Sequence, residues 1–243
     1  MKETYYVGAY WLARRESAES CARRAESFFR HLAACDPSLA HWFKKGRTLK
    51  QALKHRFESD AAGLAKVFHQ QAQKEGRLAD EGFSLRGWNG QTHEVASALS
   101  FRCGYGSVWV SNLSLFYPPE EGPAQERILQ APMLARILRA MAVAWEPEWG
   151  VATSDEHRDL VAPESAKAGT FVGWLMYFSH RRGPLPPLPP PVHVEPVEDK
   201  GTLVVLTPER FTVSNPAHLE LARDVSERLA RAGLLHPLRP CDE

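Results

Sequence analysis

The sequence of 243 residues lacks the features that would place it in a membrane, secreted or disulfide-stabilised class. No apolar run of 18 residues is present, so no segment is predicted to span a bilayer. Residues 1–6 lack the apolar core of a signal peptide, and we therefore expect a cytoplasmic protein with reduced thiols. The cysteines share no short spacing, which excludes a zinc ribbon and argues against a disulfide framework; they are Cys21, Cys35, Cys103 and Cys241.

Enzyme signatures are missing as well. The sequence holds no phosphate-binding GxxxxGK[ST], no GxSxG, no HExxH and no complete GxGxxG. The tetrapeptide 157–160 (HRDL) imitates a kinase catalytic loop, but position 164 is Glu where that loop needs Asn. The ten histidines lack the clustering that a metal site would need, so we predict no metal. Because the enzyme motifs are missing as well, we predict no catalytic residues and no cofactor.

A strong net charge is also absent. Thirty Lys and Arg residues against 29 Asp and Glu give +1, which provides no bulk attraction to nucleic acid or anionic lipid. The charge is nevertheless uneven: residues 1–77 hold 15 cations against 8 anions, and residues 78–243 hold 15 against 21. This division indicates either two surfaces for different partners or ordinary solvated helix faces.

Hydrophobic periodicity predicts an α+β fold. Helices are indicated where apolar residues recur at i, i+3, i+4 and i+7, and strands where they alternate or form short apolar runs. The predicted helices are residues 16–34, a short one after Asp36-Pro37 that carries Trp42 and Phe43, 49–74 with a break near 58–60, 124–144 with Pro132 opening a second part, a short one starting at 207–209, and 215–233. The predicted strands are residues 4–11, 83–85, 98–103, 108–117, 149–154, 171–178, 192–197 and 203–206.

These elements indicate one domain over residues 1–243, with a basic helical region (1–77) before an acidic, sheet-rich region (78–243). We expect a largely antiparallel mixed sheet with helices packed on one face. Asn89-Gly90 predicts a tight hairpin turn. The proline-rich residues 183–191 are expected to form an extended connector, and the preceding His180-Arg181-Arg182 a charged strand end that turns into solvent or grips phosphate.

Tryptophans beside turns are the most informative feature of the sequence. Trp174 is expected in the core. Trp88 and Trp149 each have two open interpretations: a core plug beside a glycine, or an anchor for a protein partner. Glu146 and Glu148 support the anchor interpretation of Trp149, because they place negative charge in the turn that precedes it.

An ordered set of segments resembles one family. These segments are residues 4–11 (TYYVGAYW), 16–18 (ESA), 87–90 (GWNG), 145–150 (WEPEWG), 173–175 (GWL) and 194–203 (VEPVEDKGTL). Over roughly residues 4–235 the chain resembles the immunity protein 52 family of bacterial polymorphic toxin systems. The resemblance implies a non-enzymatic antitoxin that binds its cognate toxin, a restriction-endonuclease-like nuclease domain often delivered by a type VI secretion system.

A nuclease presents a basic groove that acidic side chains can fill by imitating phosphate. The partner-binding residues predicted on this basis are Trp88, Glu146, Glu148, Trp149, Glu195, Glu198 and Asp199. An inhibitor can also bind elsewhere and block toxin assembly.

Two other functions remain open at this stage. One is a hydrolase that uses unrecognised carboxylates. The other is a nucleic-acid-binding protein that uses the basic N-terminal helices, with charge from Arg14, Arg15, Arg23, Arg24, Arg30, Lys44, Lys45, Arg47, Lys50 and Lys54.

Overall fold

The computed structural model describes residues 2–44, 48–75, 82–92, 95–107, 112–162 and 170–238. The chain divides into two compact units. Residues 10–128 form the first, here called the meander unit, and residues 1–9 with 129–243 form the second, the discontinuous unit. The boundary that charge suggests, between residues 77 and 78, lies inside the meander unit, and a single domain over residues 1–243 stays a prediction.

The meander unit begins within the first strand. Its elements in chain order are the end of β1 (Tyr5–Trp11), α1 (Ala18–Cys35), a 3-10 turn (Pro37–Leu39), α2 (Leu49–Ala52), α3 (Ala61–Glu75), β2 (Phe83–Trp88), β3 (Ala98–Cys103), β4 (Asn112–Tyr117) and α4 (Gly122–Ile128). Helix α1 is capped by Ser17, whose hydroxyl accepts a hydrogen bond from the Ser20 N–H. Seven of the eight apolar positions predicted for its buried face are buried, and the eighth, Ala33, is exposed. The short helix predicted to carry Trp42 and Phe43 is wrong, because Phe43 forms backbone bridges to Arg56 and Trp88 instead.

Strands β2, β3 and β4 form an antiparallel meander, as the alternating pattern predicted. Phe101 pairs with Leu85 on one side and Ser114 on the other, and it is 1% exposed. The tight turn predicted at Asn89-Gly90 is wrong, because Trp88 pairs with Ala98 and the connection is longer. Asn89 bridges that connection instead: its N–H donates to Ser97 O and its side-chain oxygen accepts from Ser97 N–H.

The discontinuous unit contains the remaining elements. They are the first part of β1, α5 (Ala131–Trp145), β5 (Trp149–Ser154), α6 (Asp155–Val161), β6 (Leu175–Ser179), a 3-10 turn (His180–Arg182), β7 (His193–Val197), β8 (Gly201–Val205) and α7 (Pro216–Arg231). The strand order is β1-β5-β6-β8-β7, and the β5–β6, β6–β8 and β8–β7 pairings are antiparallel. Helix α5 packs against β5, β6 and β8. The expected α+β class with a largely antiparallel sheet is confirmed.

Two sequence expectations are corrected in this unit. Strand β6 starts at Leu175, later than the predicted residue 171. No helix forms at residues 207–209, because Thr207 closes a local turn by accepting from the Glu209 N–H while its carbonyl accepts from the Trp174 indole at 2.8 Å.

Gly201 at the start of β8 has a steric reason. A Cβ atom at this position would collide with the Phe178 carbonyl and with the Tyr177 ring. Only glycine therefore lets the turn between β7 and β8 lie directly on the end of β6.

Three of the four cysteines are buried, namely Cys21, Cys35 and Cys103, while Cys241 lies outside the described residues. Within the described residues, no single helix has the length and apolar character needed to cross a bilayer, and only α4 and α5 taken together across their bend meet that test.

Candidate partner-binding site

Two buried tryptophans shape the turn between α5 and β5. Trp145 ends α5 and is fully buried, and Trp149 begins β5 with 3% of its surface exposed. The Trp149 ring packs edge-on against Phe171 with 5.2 Å between centroids. This packing supports the core interpretation of Trp149, and a partner contact through its indole stays a prediction.

Glu146 adopts the left-handed conformation that ends α5, with φ 48° and ψ 58°. Its N–H donates to Ala142 O at 3.0 Å, which satisfies one of the last carbonyls of the helix. The carbonyl of Glu148 accepts from the Ser179 N–H at 3.1 Å. Both acidic residues of this turn are therefore held by the backbone before their side chains make any contact.

The turn between β7 and β8 is fixed to the end of β6. The Lys200 carbonyl accepts from the Tyr177 hydroxyl at 3.0 Å and from the His180 N–H at 3.1 Å. Burial raises the pKa of Tyr177, so its phenol stays protonated and keeps donating. Glu198 in this turn has φ 50°, a second left-handed residue that is not glycine.

The two turns meet through an ion-pair cluster, defined as Glu146, Glu148, Arg181 and Lys200. Lys200 Nζ lies 3.2 Å from Glu146 Oε1, and Arg181 Nε lies 3.1 Å from Glu148 Oε1. A guanidinium nitrogen of Arg181 also donates to the Glu146 carbonyl at 3.4 Å. The structure thus pairs Glu148 and Glu146 with cations that lie 33 and 54 positions further along the sequence.

Glu195 on β7 is paired in the same way. Its carboxylate lies 2.9 Å from a guanidinium nitrogen of Arg139 on α5, and Arg139 donates a second bond to Pro196 O at 2.9 Å. Pro196 has no N–H to donate, and its carbonyl already accepts a hydrogen bond from the Arg139 guanidinium. This part of β7 is thereby protected against pairing with another strand.

Glu198 and Asp199 are the outermost carboxylates of the surface. Asp199 is 91% exposed at its side chain, and its nearest cation, Lys200, lies 4.0 Å away. Glu198 is exposed as well. The surface has a formal excess of two negative charges, because its five predicted carboxylates face three cations, Arg139, Arg181 and Lys200. The excess lies at Glu198 and Asp199 in the turn between β7 and β8, here called the hairpin tip.

Trp88, the remaining predicted contact, belongs to the meander unit. It is half-buried, packs against Phe43 at 6.1 Å between centroids, and exchanges two backbone hydrogen bonds with that residue. The structure therefore places six of the seven predicted residues in one unit and Trp88 in the other.

The cations of this surface were not predicted from the sequence. Arg139, Arg181 and Lys200 are separated from their carboxylates by 33 to 56 positions, so no local spacing signals the pairs. The prediction for Arg182 is wrong, because this side chain is buried and does not turn into solvent. It donates to the carbonyls of Leu234 and His236 and to the Thr170 hydroxyl, and burial lowers its pKa.

The meander unit holds a cavity of about 500 Å³. Its walls are Ala40, His41, Trp42, Arg56, Phe57, Glu58, Ser59 and Asp60. Arg56 bonds to Nδ1 of His41 at 2.7 Å, and Asp60 accepts from the Gly63 N–H at 2.8 Å. Across the residues whose placement is described, no three His, Cys, Asp or Glu side chains converge as metal ligands would.

Part of the predicted nucleic-acid surface is neutralised. Arg14 and Arg24 both bind Glu16, at 3.0 and 2.7 Å. Lys45 and Arg47 lie outside the described residues. The guanidinium of Arg14 also lies over the Trp11 ring at 5.5 Å.

Comparison with known proteins identifies a family and shows a likeness of fold to a solved structure. A family model described as immunity protein 52 matches residues 3–238. No curated protein matches the chain significantly. A solved type VI secretion system protein of Pseudomonas aeruginosa is 14% identical, with a TM-score of 0.53, and the match covers 93% of this chain and 72% of that one. At that identity the likeness concerns the fold.

Proposed function

The chain belongs to the immunity protein 52 family, and from this membership we propose that it binds a cognate toxin and neutralises it by occupying its surface. The observation that carries the proposal is the length of the family match, which extends over residues 3–238 and so includes both units. The protein then acts through shape and charge, with no covalent bond made or broken.

We further propose that the toxin is a nuclease with a restriction-endonuclease-like domain, delivered by a type VI secretion system. The family resemblance supports the first part, and the similar fold of a protein from that system in Pseudomonas aeruginosa supports the second. The encounter would take place in the cytoplasm, because a nuclease has to be neutralised where its nucleic acid lies.

The acidic hairpin tip suits this role. Glu198 and Asp199 project from a turn whose backbone is fixed by Tyr177, so little conformational freedom is lost when they bind a cation. Paired carboxylates such as Glu148 are held by Arg181 and would mainly position the turn. We propose that the tip enters the basic substrate groove of the nuclease in place of phosphate, and that its charge accelerates the encounter.

A titration of toxin activity tests the proposal. The toxic domain encoded beside this chain would be mixed with increasing amounts of the purified protein, and nucleic-acid cleavage would be followed over time. We expect inhibition that is complete at a fixed stoichiometric ratio and independent of incubation time. Growth rescue on co-expression would accompany it. Uninhibited cleavage at excess protein would exclude the antitoxin function.

The same titration separates the antitoxin from the hydrolase interpretation. The cavity lined by His41, Glu58 and Asp60 is the observation that favours a hydrolase. An enzyme that inactivated the toxin would act below the stoichiometric ratio, and its effect would grow with time. Replacing His41 by Ala would remove that time dependence, whereas a surface inhibitor would keep its titration curve.

A further inference from the structure

A segment of the meander unit between Asp36 and Glu58 carries several cations and no carboxylate. Residues 37–57 contain six Lys and Arg and no Asp or Glu. Lys44, Lys50, Lys54 and Arg56 are all exposed. None of these four forms an ion pair with another described residue, and Arg56 bonds to the His41 imidazole. This charge therefore remains available to a partner.

Two exposed leucines lie among these cations. Leu49 and Leu53 are 51% and 44% exposed, among the most exposed large apolar side chains in the described ranges. They are four positions apart around α2, and the Leu53 N–H donates to Leu49 O at 3.0 Å, so both lie on the same side of one helical turn. Exposed apolar surface is unfavourably hydrated, so contact of both leucines with a partner would be favourable.

The segment is tied at both ends. The Lys44 N–H donates to His55 O at 2.9 Å, and the Phe57 N–H donates to Trp42 O at 3.2 Å. The Thr48 hydroxyl accepts from the Gln51 N–H and caps α2, while Ala52 anchors the turn in the core. These hydrogen bonds hold the backbone of Lys44 and of residues 48–57 before a partner binds, which reduces the entropy lost on binding.

We propose that Lys44 and residues 48–57 dock onto an acidic protein surface with an apolar centre, on the toxin that the antitoxin function requires; the inference rests on that function. A pair of leucines within a rim of lysines has the composition of a protein interface, with apolar area in the middle and charge around it. Charge complementarity then selects an acidic surface over a basic one.

The observations favour a protein over a membrane or a nucleic acid. Helix α2 has four residues and offers two leucines, too little apolar area for an interfacial helix. A single-stranded nucleic acid is typically bound through stacking aromatics. Phe43 is half-buried and packs against Trp88, while Trp42 and Phe57 are buried. Exposed leucines would also be left without a partner on a phosphate backbone.

Binding kinetics with the purified toxic domain test the inference. In the triple variant K44E/K50E/K54E, we expect association to slow about tenfold at low salt, with a weaker salt dependence. In L49S/L53S, we expect dissociation to accelerate about tenfold with association almost unchanged. The control K66E/R86E/R102E reverses three other exposed cations of the same unit and should bind like the wild type.

The outcomes distinguish this inference from the function on which it rests. If the wild type does not bind the toxic domain, the antitoxin proposal fails, and the docking surface fails with it. If the wild type binds and inhibits while K44E/K50E/K54E and L49S/L53S bind equally well, only the docking surface is wrong. Thermal melting confirms that each variant is folded.

Two further probes exclude the other partner classes. Phosphatidylglycerol vesicles and a short DNA duplex would be titrated with the wild type and with K44E/K50E/K54E. We expect no binding to either at physiological salt. Lysine-dependent binding to the vesicles or to the DNA, together with unchanged toxin binding by the variant, would reassign the surface to that partner.

Discussion

The ammonium nitrogen of Lys200 lies 3.2 Å from a carboxylate oxygen of Glu146, and this ion pair joins the turn between β7 and β8 to the turn after α5. Both turns contain a left-handed residue that is not glycine, Glu146 in one and Glu198 in the other. The candidate partner-binding surface is thereby assembled from two turns that each contain a residue under conformational strain.

Reversing charge at the hairpin tip tests its role in the encounter. We expect E198K/D199K to associate about tenfold more slowly with the toxic domain and to lose most of the salt dependence, because the outermost carboxylates supply the steering field. Surface-binding kinetics at several salt concentrations would measure this. The control E220K/E227K makes the same charge change on α7, and equal slowing there would show that only net charge matters.

Glycine at the left-handed positions should raise stability by unequal amounts. E198G relieves the backbone strain at an exposed turn, and we expect a gain of about 1 kcal/mol in the free energy of unfolding. E146G relieves similar strain but removes the ion pair with Lys200, which costs about 0.5 kcal/mol. Urea unfolding of both variants measures the difference. A larger gain for E146G than for E198G would mean that the ion pair contributes nothing.

Stability should fall as pH is lowered, because His157 is buried and neutral. Burial lowers its pKa, although the bond from its Nε2 to Val172 O at 2.9 Å opposes that shift. Below about pH 6.5 the unfolded chain takes up a proton at this position that the folded chain does not, so the free energy of unfolding decreases with falling pH.

Urea midpoints between pH 7.5 and 5 measure this dependence. H157N should be less stable at pH 7.5 and show a smaller decline, because the group with the lowered pKa is gone. H193N replaces an exposed histidine on β7 and serves as the control. An unchanged decline in H157N would assign the pH dependence to other groups.

Two neighbouring arginines should differ sharply in their contribution to stability. Arg182 is buried and holds the carbonyls of Leu234 and His236, so we expect R182A to lose about 2 kcal/mol by leaving these acceptors unsatisfied. Arg181 is 64% exposed at its side chain, and we expect R181A to lose less than about 1 kcal/mol.

Limited proteolysis adds a local measurement for the same pair. R182A should be cleaved faster after α7, near residues 234–236, because the hydrogen bonds from Arg182 to the carbonyls of Leu234 and His236 are lost. R181A should keep the wild-type pattern. Equal protection in both variants would show that Arg182 does not hold the segment.

Local periodicity explains how much of the fold could be predicted from the sequence. The stripe of α1 and the alternation of β3 are properties of consecutive residues, so their positions were predicted within a few residues. The same reasoning failed at Asn89-Gly90, where a local turn signal yielded to the pairing of Trp88 with Ala98. It failed at Arg182 because a charged residue was expected in solvent, whereas the carbonyls that satisfy it lie more than fifty positions away.

The α+β class, most element positions, the family and the acidic residues of the candidate site follow from the order of the amino acids, since each depends on residue identity and spacing. The folded chain sets which of those carboxylates are neutralised, because Arg139, Arg181 and Lys200 approach them through long-range packing that no spacing encodes. It also leaves Asp199 exposed while Trp149 is buried, since exposure depends on what the folded chain places over each side chain.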